Sequence, residues 1–440
     1  MILSAVLVIP RASSELPTYL FEPVAGVPLL ARQILGLRRA GVSQITLLVD
    51  ARHRPALAAE LERHSPRLGE VTLRSEWAAA ADPGAPDVED RYVLLAPVNL
   101  LPGRRVYAAL TDQLPPPGGL TLGVVSPSPA PPATTPTPPR RWPTAGFGLF
   151  SPAAWQDWLQ WVELHRGALP DTQEMAGLLA EFAASPTAGP VAAVPLQPGE
   201  LISICSAEER AAATVRLINL ENDSPLSEGI LEKAWNRRLA RMLLPWVLAQ
   251  PISPNQITLF SFLVGLLAVW GFAHGSYAAA AGAGLLLPLI LVLDCLDGMV
   301  ARLKFQESPL GALLDVHGDS ILNLLLFLGM ATGCYRSSGR PLYLFLGALI
   351  LMGYGACWQL ARQLPFSQPL AQQPAAVAQS RRGRLWTEAV SRDFFYIILL
   401  MALLRRLDWL VVLLAVGTNI FAWLLYRQQK KWAKLNSSSS

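Results

Sequence analysis

Four aspartates, Asp294, Asp297, Asp315 and Asp319, lie in one stretch, DCLDGMVARLKFQESPLGALLDVHGD (294–319), between apolar runs long enough to sit in a bilayer. Acidic side chains are costly at that depth and mark functional sites. Asp294 and Asp297 are one helical turn apart, and Gly311, Asp315 and Asp319 repeat every fourth residue, so each set occupies one helix face. Asp297 lies five residues before Arg302, and Asp315 five after Leu310. In two antiparallel helices joined by a short loop, the carboxylates then sit at similar depth, roughly 8–12 Å in at ~1.5 Å per residue, and can converge.

Converging carboxylates repel one another unless a cation intervenes. Oxygen ligands without His or Cys select hard ions, Mg2+ or Mn2+, and Mg2+ held by carboxylates completes its shell with water and phosphate oxygens. Two such ions would polarise a phosphoryl group and neutralise its developing charge. Gly298, Ala301 and Gly311 leave room for a flat ligand, and Arg302 offers a phosphate-matching fork. The competing reading is an ion pathway through a non-enzymatic transport protein. His317 points about 200° from Asp315 at ~100° per residue, away from the acids.

The elements that must position these groups are membrane helices. Six spans are expected, at about 256–274, 278–303, 310–334, 341–363, 390–405 and 407–427, near the ~20 residues that cross hydrocarbon. Arg302, Lys304, the RRGR run at 381–384 and the basic RQQKKWAK end fall on one side; the other holds Arg336, Arg340, Arg405 and Arg406. The excess of positive charge places both termini and the acids in the cytoplasm, with the inner membrane of a bacterium as the expected location. Arg362 and Arg392 would stand at cytoplasmic helix ends, lining an acceptor pocket or anchoring the interface.

The first half reads differently. Strand candidates SAVLVIP, QITLLVD and RYVLLAPV alternate with helices PLLARQILGLRRAG and RPALAAELERH, implying βαβ units and a largely parallel sheet. A proline-dense segment at 114–143 is an insertion or extended loop. SEGILEKAWNRRLARMLLPWVLA (227–249) has helical apolar spacing with Lys233, Arg237, Arg238 and Arg241 opposite, suiting a helix on an anionic membrane surface or an ordinary solvent-facing one. The domains expected are 1–205, a linker and juxtamembrane helix at 206–250, and a membrane domain at 251–434. Net charge is only +4 over 440 residues, which does not suggest nucleic acid as a partner. The four cysteines are scattered singly, against disulfides or zinc.

The spacing D294-x2-D297-G298-x2-A301-R302-x8-G311-x3-D315-x3-D319 resembles the signature of the CDP-alcohol phosphotransferase family, and PNQIT (254–258) is similar to that family's entry to its first span. The resemblance implies an all-α six-helix membrane enzyme, usually dimeric, that displaces CMP from a CDP-linked donor, such as CDP-diacylglycerol, with an acceptor hydroxyl. Asp294, Asp297 and Asp315 would then bind two Mg2+ or Mn2+ ions. Asp319 would complete the site and act as the base. Gly298, Ala301 and Gly311 would admit the cytidine, with Arg302 on phosphate and Asn255 bounding the site. Inositol phosphate, glycerol phosphate and simpler alcohols are all open as acceptors.

PVAGVPLLARQILGLRRAGVSQITLLV (23–49) resembles sugar-phosphate nucleotidyltransferases, a Rossmann-like α/β fold. The pairing of the two halves resembles bifunctional inositol-phosphate cytidylyltransferase/synthase proteins, which make a CDP-alcohol and then consume it. Here IPRASSELPTYLFEP has no glycine where backbone amides would wrap phosphates. No lysine occurs before Lys233, and LLAPVNLL stands where a metal-binding Asp is expected. The N-terminal domain is therefore expected to lack nucleotidyl transfer, with a bifunctional enzyme as the alternative.

Overall fold

The computed structural model describes residues 3–10, 16–77, 92–102, 106, 113–125, 144–165, 169–196, 200–220, 235–361 and 394–437. The chain divides into two compact units, Met1–Asn222 and Asp223–Ser440.

The first unit is built on a seven-stranded sheet with order β10-β8-β9-β6-β1-β4-β5. Its strands are β1 (Leu3–Val8), β4 (Val42–Leu48), β5 (Thr72–Arg74), β6 (Tyr92–Pro97), β8 (Leu120–Val125), β9 (Thr144–Phe150) and β10 (Val191–Leu196). Two short antiparallel pairs lie outside it: the hairpin of β2 (Pro23–Val24) with β3 (Val27–Pro28), and the long-range pair of β7 (Leu100–Pro102) with β11 (Leu201–Ser203). β1 runs parallel to β4 and β6, as alternating strand and helix require. The departure from a parallel sheet is β9, antiparallel to both β6 and β8. Antiparallel neighbours need no crossover helix; the connection from β8 to β9, in the expected proline-dense insertion, lies outside the described residues.

Helices α1 (Leu29–Arg39), α2 (Arg54–Leu68), α3 (Pro152–His165), α4 (Thr172–Ala183) and α5 (Ala207–Leu220) complete this unit. Val6, Val8, Leu95, Leu120 and Phe150 from the sheet pack on Trp155, Trp158 and Phe182 from α3 and α4. α4 starts on a reciprocal cap between Asp171 and Glu174, which satisfies orphan amides of its first turn. α1 ends before Gly41, whose φ of +90° suits a residue without a Cβ.

Two polar residues of α1 are fully committed to structure. Buried Arg32 donates from Nε to Val24 O (2.9 Å) and from Nη2 to Ala25 O (3.2 Å), holding the β2–β3 turn. Buried Gln33 donates to the carbonyls of Val98 and Leu100. The stretch that resembles nucleotidyltransferases thus uses its polar side chains to satisfy buried carbonyls, which would otherwise be costly.

The second unit contains α6 (Arg237–Ala249), α7 (Pro254–His274), α8 (Tyr277–Leu303), α9 (Pro309–Ser338), α10 (Leu342–Ala361), α11 (Phe394–Leu403) and α12 (Leu407–Ser437). Among the described residues four helices are long and apolar enough to cross a membrane: Pro254–His274, Tyr277–Leu303, Leu342–Leu360 and Leu407–Arg427. The expected third and fifth spans coincide with α9 and α11. α9 is long but carries Asp315, His317 and Asp319 in its first three turns; α11 has 10 described residues, short of a full crossing. The helix expected beside the membrane is described as Arg237–Ala249, and it buries Ala240, Leu244, Val247 and Leu248.

Small residues bring the helices together. A Cβ on Gly333 of α9 would lie 2.0 Å from Phe272 O of α7, and one on Gly271 of α7 would lie 2.9 Å from Ala283 Cβ of α8. Only glycine allows such approach, the usual device where helices have no water to exclude. Ala268, Leu287, Leu326, Met330, Ile350, Ile398 and Val411 fill the centre of the bundle.

Candidate functional site

Three helices deliver the residues singled out by type and spacing. α8 carries Asp294, Asp297, Gly298, Ala301 and Arg302 in its C-terminal half, and α9 carries Gly311, Asp315 and Asp319 in its N-terminal half. α7 contributes its first turn, started by Ser253, whose Oγ accepts the Gln256 amide (3.4 Å) while Gln256 Oε1 accepts the Ser253 amide (2.9 Å). Pro254 at the first helical position completes this start.

Among the described side chains of the motif Asp297 is the buried acid, 8% exposed. The Thr258 hydroxyl, from the second turn of α7, donates to its Oδ2 at 2.5 Å. A charge-assisted bond of this length fixes the carboxylate and offsets part of its desolvation. Asp294 and Asp319 are half-buried. Asp315 is placed on α9 by its backbone; its side chain lies outside the described residues. Among the described side chains no three His, Cys, Asp or Glu stand close enough to share an ion, a set that excludes Asp315.

The glycines line close contacts. A Cβ on Gly311 would lie 3.5 Å from Asn255 Oδ1 and 3.0 Å from Ser308 Oγ, so α7 and α9 meet at their first turns. Ser308 caps α9 by accepting the Gly311 amide at 3.0 Å. A Cβ on Gly298 would lie 3.4 Å from Arg302 Nη1, so this guanidinium lies against the helix surface that Gly298 leaves bare.

The α8–α9 turn is held from within. The buried Lys304 ammonium donates to Gln250 O (2.8 Å) and Ile252 O (3.0 Å), tying the end of α8 to the segment that enters α7. Phe305 follows with φ +53°, and the Gln306 amide reaches Ala301 O at 2.8 Å. Lys304, read in the sequence as an interfacial charge, is a buried clasp.

His317 faces α10, its ring edge-on to Trp358 with centroids 5.9 Å apart. Next to Asp319, the Tyr354 hydroxyl of α10 hydrogen-bonds with Ser320 and Asn323. Arg362 and Arg392, expected to line an acceptor pocket, lie outside the described residues. Thr258 escaped the sequence reading, although it stands one turn after Asn255 in the same PNQIT stretch.

Residues 251–421 match the family model described as CDP-alcohol phosphatidyltransferase. The matched stretch contains every aspartate, glycine and arginine of the motif together with Asn255 and Thr258. The chain is similar to a bifunctional IPC transferase and DIPP synthase from Rubrobacter xylanophilus, 32% identical over 144 residues, covering 32% of this chain and 31% of that protein. It is also similar to an archaetidylinositol phosphate synthase from Pyrococcus horikoshii, 35% identical over 82 residues, covering 19% of this chain and 42% of that one. The chain thus spans about a third of the Rubrobacter relative's length and less than half of the Pyrococcus one's. Among solved structures, an inositol-1-phosphate CTP transferase from T. maritima aligns with a TM-score of 0.33 and 14% identity, over 48% of this chain and 94% of that chain. A 4-diphosphocytidyl-2C-methyl-D-erythritol synthase from Anaerococcus prevotii gives 0.34 and 12%, over 49% and 98%.

The donor set within residues 294–319 suits a hard divalent cation. All four acids are carboxylates. The buried one among the described side chains, Asp297, is oriented by the Thr258 hydroxyl, and carboxylate oxygens are the ligands that such an ion takes.

Proposed function

We propose that this chain is a membrane CDP-alcohol phosphotransferase that moves a substituted phosphate from a CDP-linked donor to an acceptor alcohol and releases CMP. The observation that carries the reading is the buried Asp297, fixed by Thr258 on α7 and set one turn from Asp294. It lies within the stretch that matches the CDP-alcohol phosphatidyltransferase model.

Asp294, Asp297, Asp315 and Asp319 would hold Mg2+ or Mn2+, which when bound neutralises phosphate charge and polarises the phosphorus for attack. Asp319 takes the proton from the acceptor hydroxyl. The acceptor oxygen then forms a bond to the phosphorus bearing the donor's alcohol, and the bond from that phosphorus to the CMP oxygen breaks. Arg302 pairs with donor phosphate, since its guanidinium lies along bare helix surface beside Gly298. Gly298, Ala301 and Gly311 leave the cytidine a place against α8 and α9, with Asn255 closing its side at α7. Arg362 and Arg392 would meet the acceptor. An inositol-type acceptor is favoured by the likeness to the Pyrococcus archaetidylinositol phosphate synthase. The enzyme works as a homodimer, with its site and both termini on the cytoplasmic side.

The N-terminal unit lacks nucleotidyl transfer in this reading. Arg32 and Gln33 are taken up by carbonyls, and no lysine precedes Lys233.

Purified full-length protein in detergent, given a panel of CDP-donors and alcohol acceptors, should release CMP only with Mg2+ or Mn2+, and Asp319→Asn should abolish release. Ion flux in vesicles without CMP release would replace the enzyme reading with a transporter. Pyrophosphate release from CTP and an alcohol phosphate would overturn the inactive N-terminal unit.

A further inference from the structure

We infer that Thr258 is a positioning residue for the proposed metal site, holding the Asp297 carboxylate from a third helix. The inference rests on the function proposed above. Asp297 and Thr258 are 39 residues apart, yet the hydroxyl donates to Oδ2 at 2.5 Å. Asp297 is 8% exposed, so water has little access to replace that donor. Losing a buried hydrogen bond is costlier than losing the same bond in water.

The hydroxyl is itself well placed. Thr258 stands on the second turn of α7, whose start is fixed by the Ser253–Gln256 cap and by Pro254. Pro254 O lies 3.2 Å from Thr258 Oγ1. The segment before that cap is tied to the end of α8 by Lys304. The β-branched side chain allows few χ1 rotamers in a helix, so the donor reaches Asp297 with little freedom left to lose. A carboxylate that binds a cation through one oxygen needs the rotation of its other oxygen controlled. Partners of this kind change metal affinity by about 10–100-fold when lost.

The test is Mn2+ titration of full-length protein in detergent, read by thermal unfolding and by Mn2+ binding followed with electron paramagnetic resonance. Neither readout requires turnover. Thr258→Val, which keeps the shape and deletes the hydroxyl, should need about 10-fold more Mn2+ or beyond for the same occupancy. Thr258→Ser should titrate like the unaltered protein. If the Val variant fails to fold, Thr258→Ala beside Thr258→Ser carries the same comparison. An Ala or Val variant that binds Mn2+ like the unaltered protein overturns the inference. So does a Ser variant as weak as Val, because packing of the methyl group would then be the cause. Asp297→Asn separates the two layers. If it too leaves Mn2+ binding unchanged, the proposed metal site itself fails; if it alone weakens binding, only the role of Thr258 falls.

Discussion

The Asn255 carboxamide oxygen stands 3.5 Å from the point where a Cβ on Gly311 would begin, and the Ser308 hydroxyl stands 3.0 Å from it. The first turns of α7 and α9 therefore meet at a position where any side chain would intrude. Gly311→Ala should crowd the Ser308 cap and lower kcat/KM for CMP release at least about tenfold, ~1.4 kcal/mol. Gly311→Val should do more. Because the intrusion also presses on the Ser308 cap, the unfolding temperature should fall modestly as well, more in Gly311→Val than in Gly311→Ala. Steady-state kinetics and thermal unfolding of the same preparations check this.

Lys304 should matter for stability rather than for charge. Lys304→Met keeps the stem and removes the ammonium, leaving Gln250 O and Ile252 O without their donor. Both carbonyls sit in part-buried surroundings, so the loss is of ordinary hydrogen bonds to a charged donor rather than of fully buried ones. A clear fall in unfolding temperature is expected, with a weaker donor KM because the segment entering α7 is released. An unchanged melting curve would show that the clasp contributes nothing.

Gly353 tests the packing of α10 on α12. A Cβ there would lie 2.6 Å from Thr418 Oγ1 and 2.9 Å from the Asn419 amide nitrogen. Asn419 also donates from its side chain to Leu349 O at 2.9 Å across the same pair. Gly353→Val should destabilise the membrane unit by about 1–3 kcal/mol, the usual cost of overpacking, read as a lower unfolding temperature in detergent.

In the N-terminal unit, burial pushes the Tyr19 hydroxyl up from 10.0 to about 12, with the nearby Cys205 adding to the shift. Below pH 10 both folded and unfolded chains keep this proton, so the group contributes no pH dependence. Between pH 10 and 12 the unfolded chain ionises Tyr19 while the folded one does not, so stability falls as pH rises through that window. Tyr19→Phe should flatten this part of the profile, as followed by urea unfolding with tryptophan fluorescence in the full-length protein.

How much was legible in the sequence can be judged from particular residues. The helical face shared by Asp294 and Asp297, and that shared by Gly311, Asp315 and Asp319, followed from spacing alone, because helical periodicity is a local property. The membrane character of four helices followed from the length of their apolar runs. The strands β1, β4 and β6 were legible for the same local reason, whereas the reversal of β9 was not. An apolar strand buried on both faces reads the same in either direction, and only its hydrogen-bond partners set the sense.

What the sequence determined by itself was which side chains are present, on which helix face, and in what order they enter the membrane. Tertiary structure decided which of them touch. Thr258 reaches Asp297 and Asn255 reaches Gly311 because α7 packs against both α8 and α9. Small residues such as Gly271 and Gly333 set those approach distances. Lys304 likewise became a buried clasp only once the end of α8 met the carbonyls before α7. Contacts of this kind depend on how helices cross, and side-chain packing along the whole interface sets the crossing, beyond the reach of any local pattern.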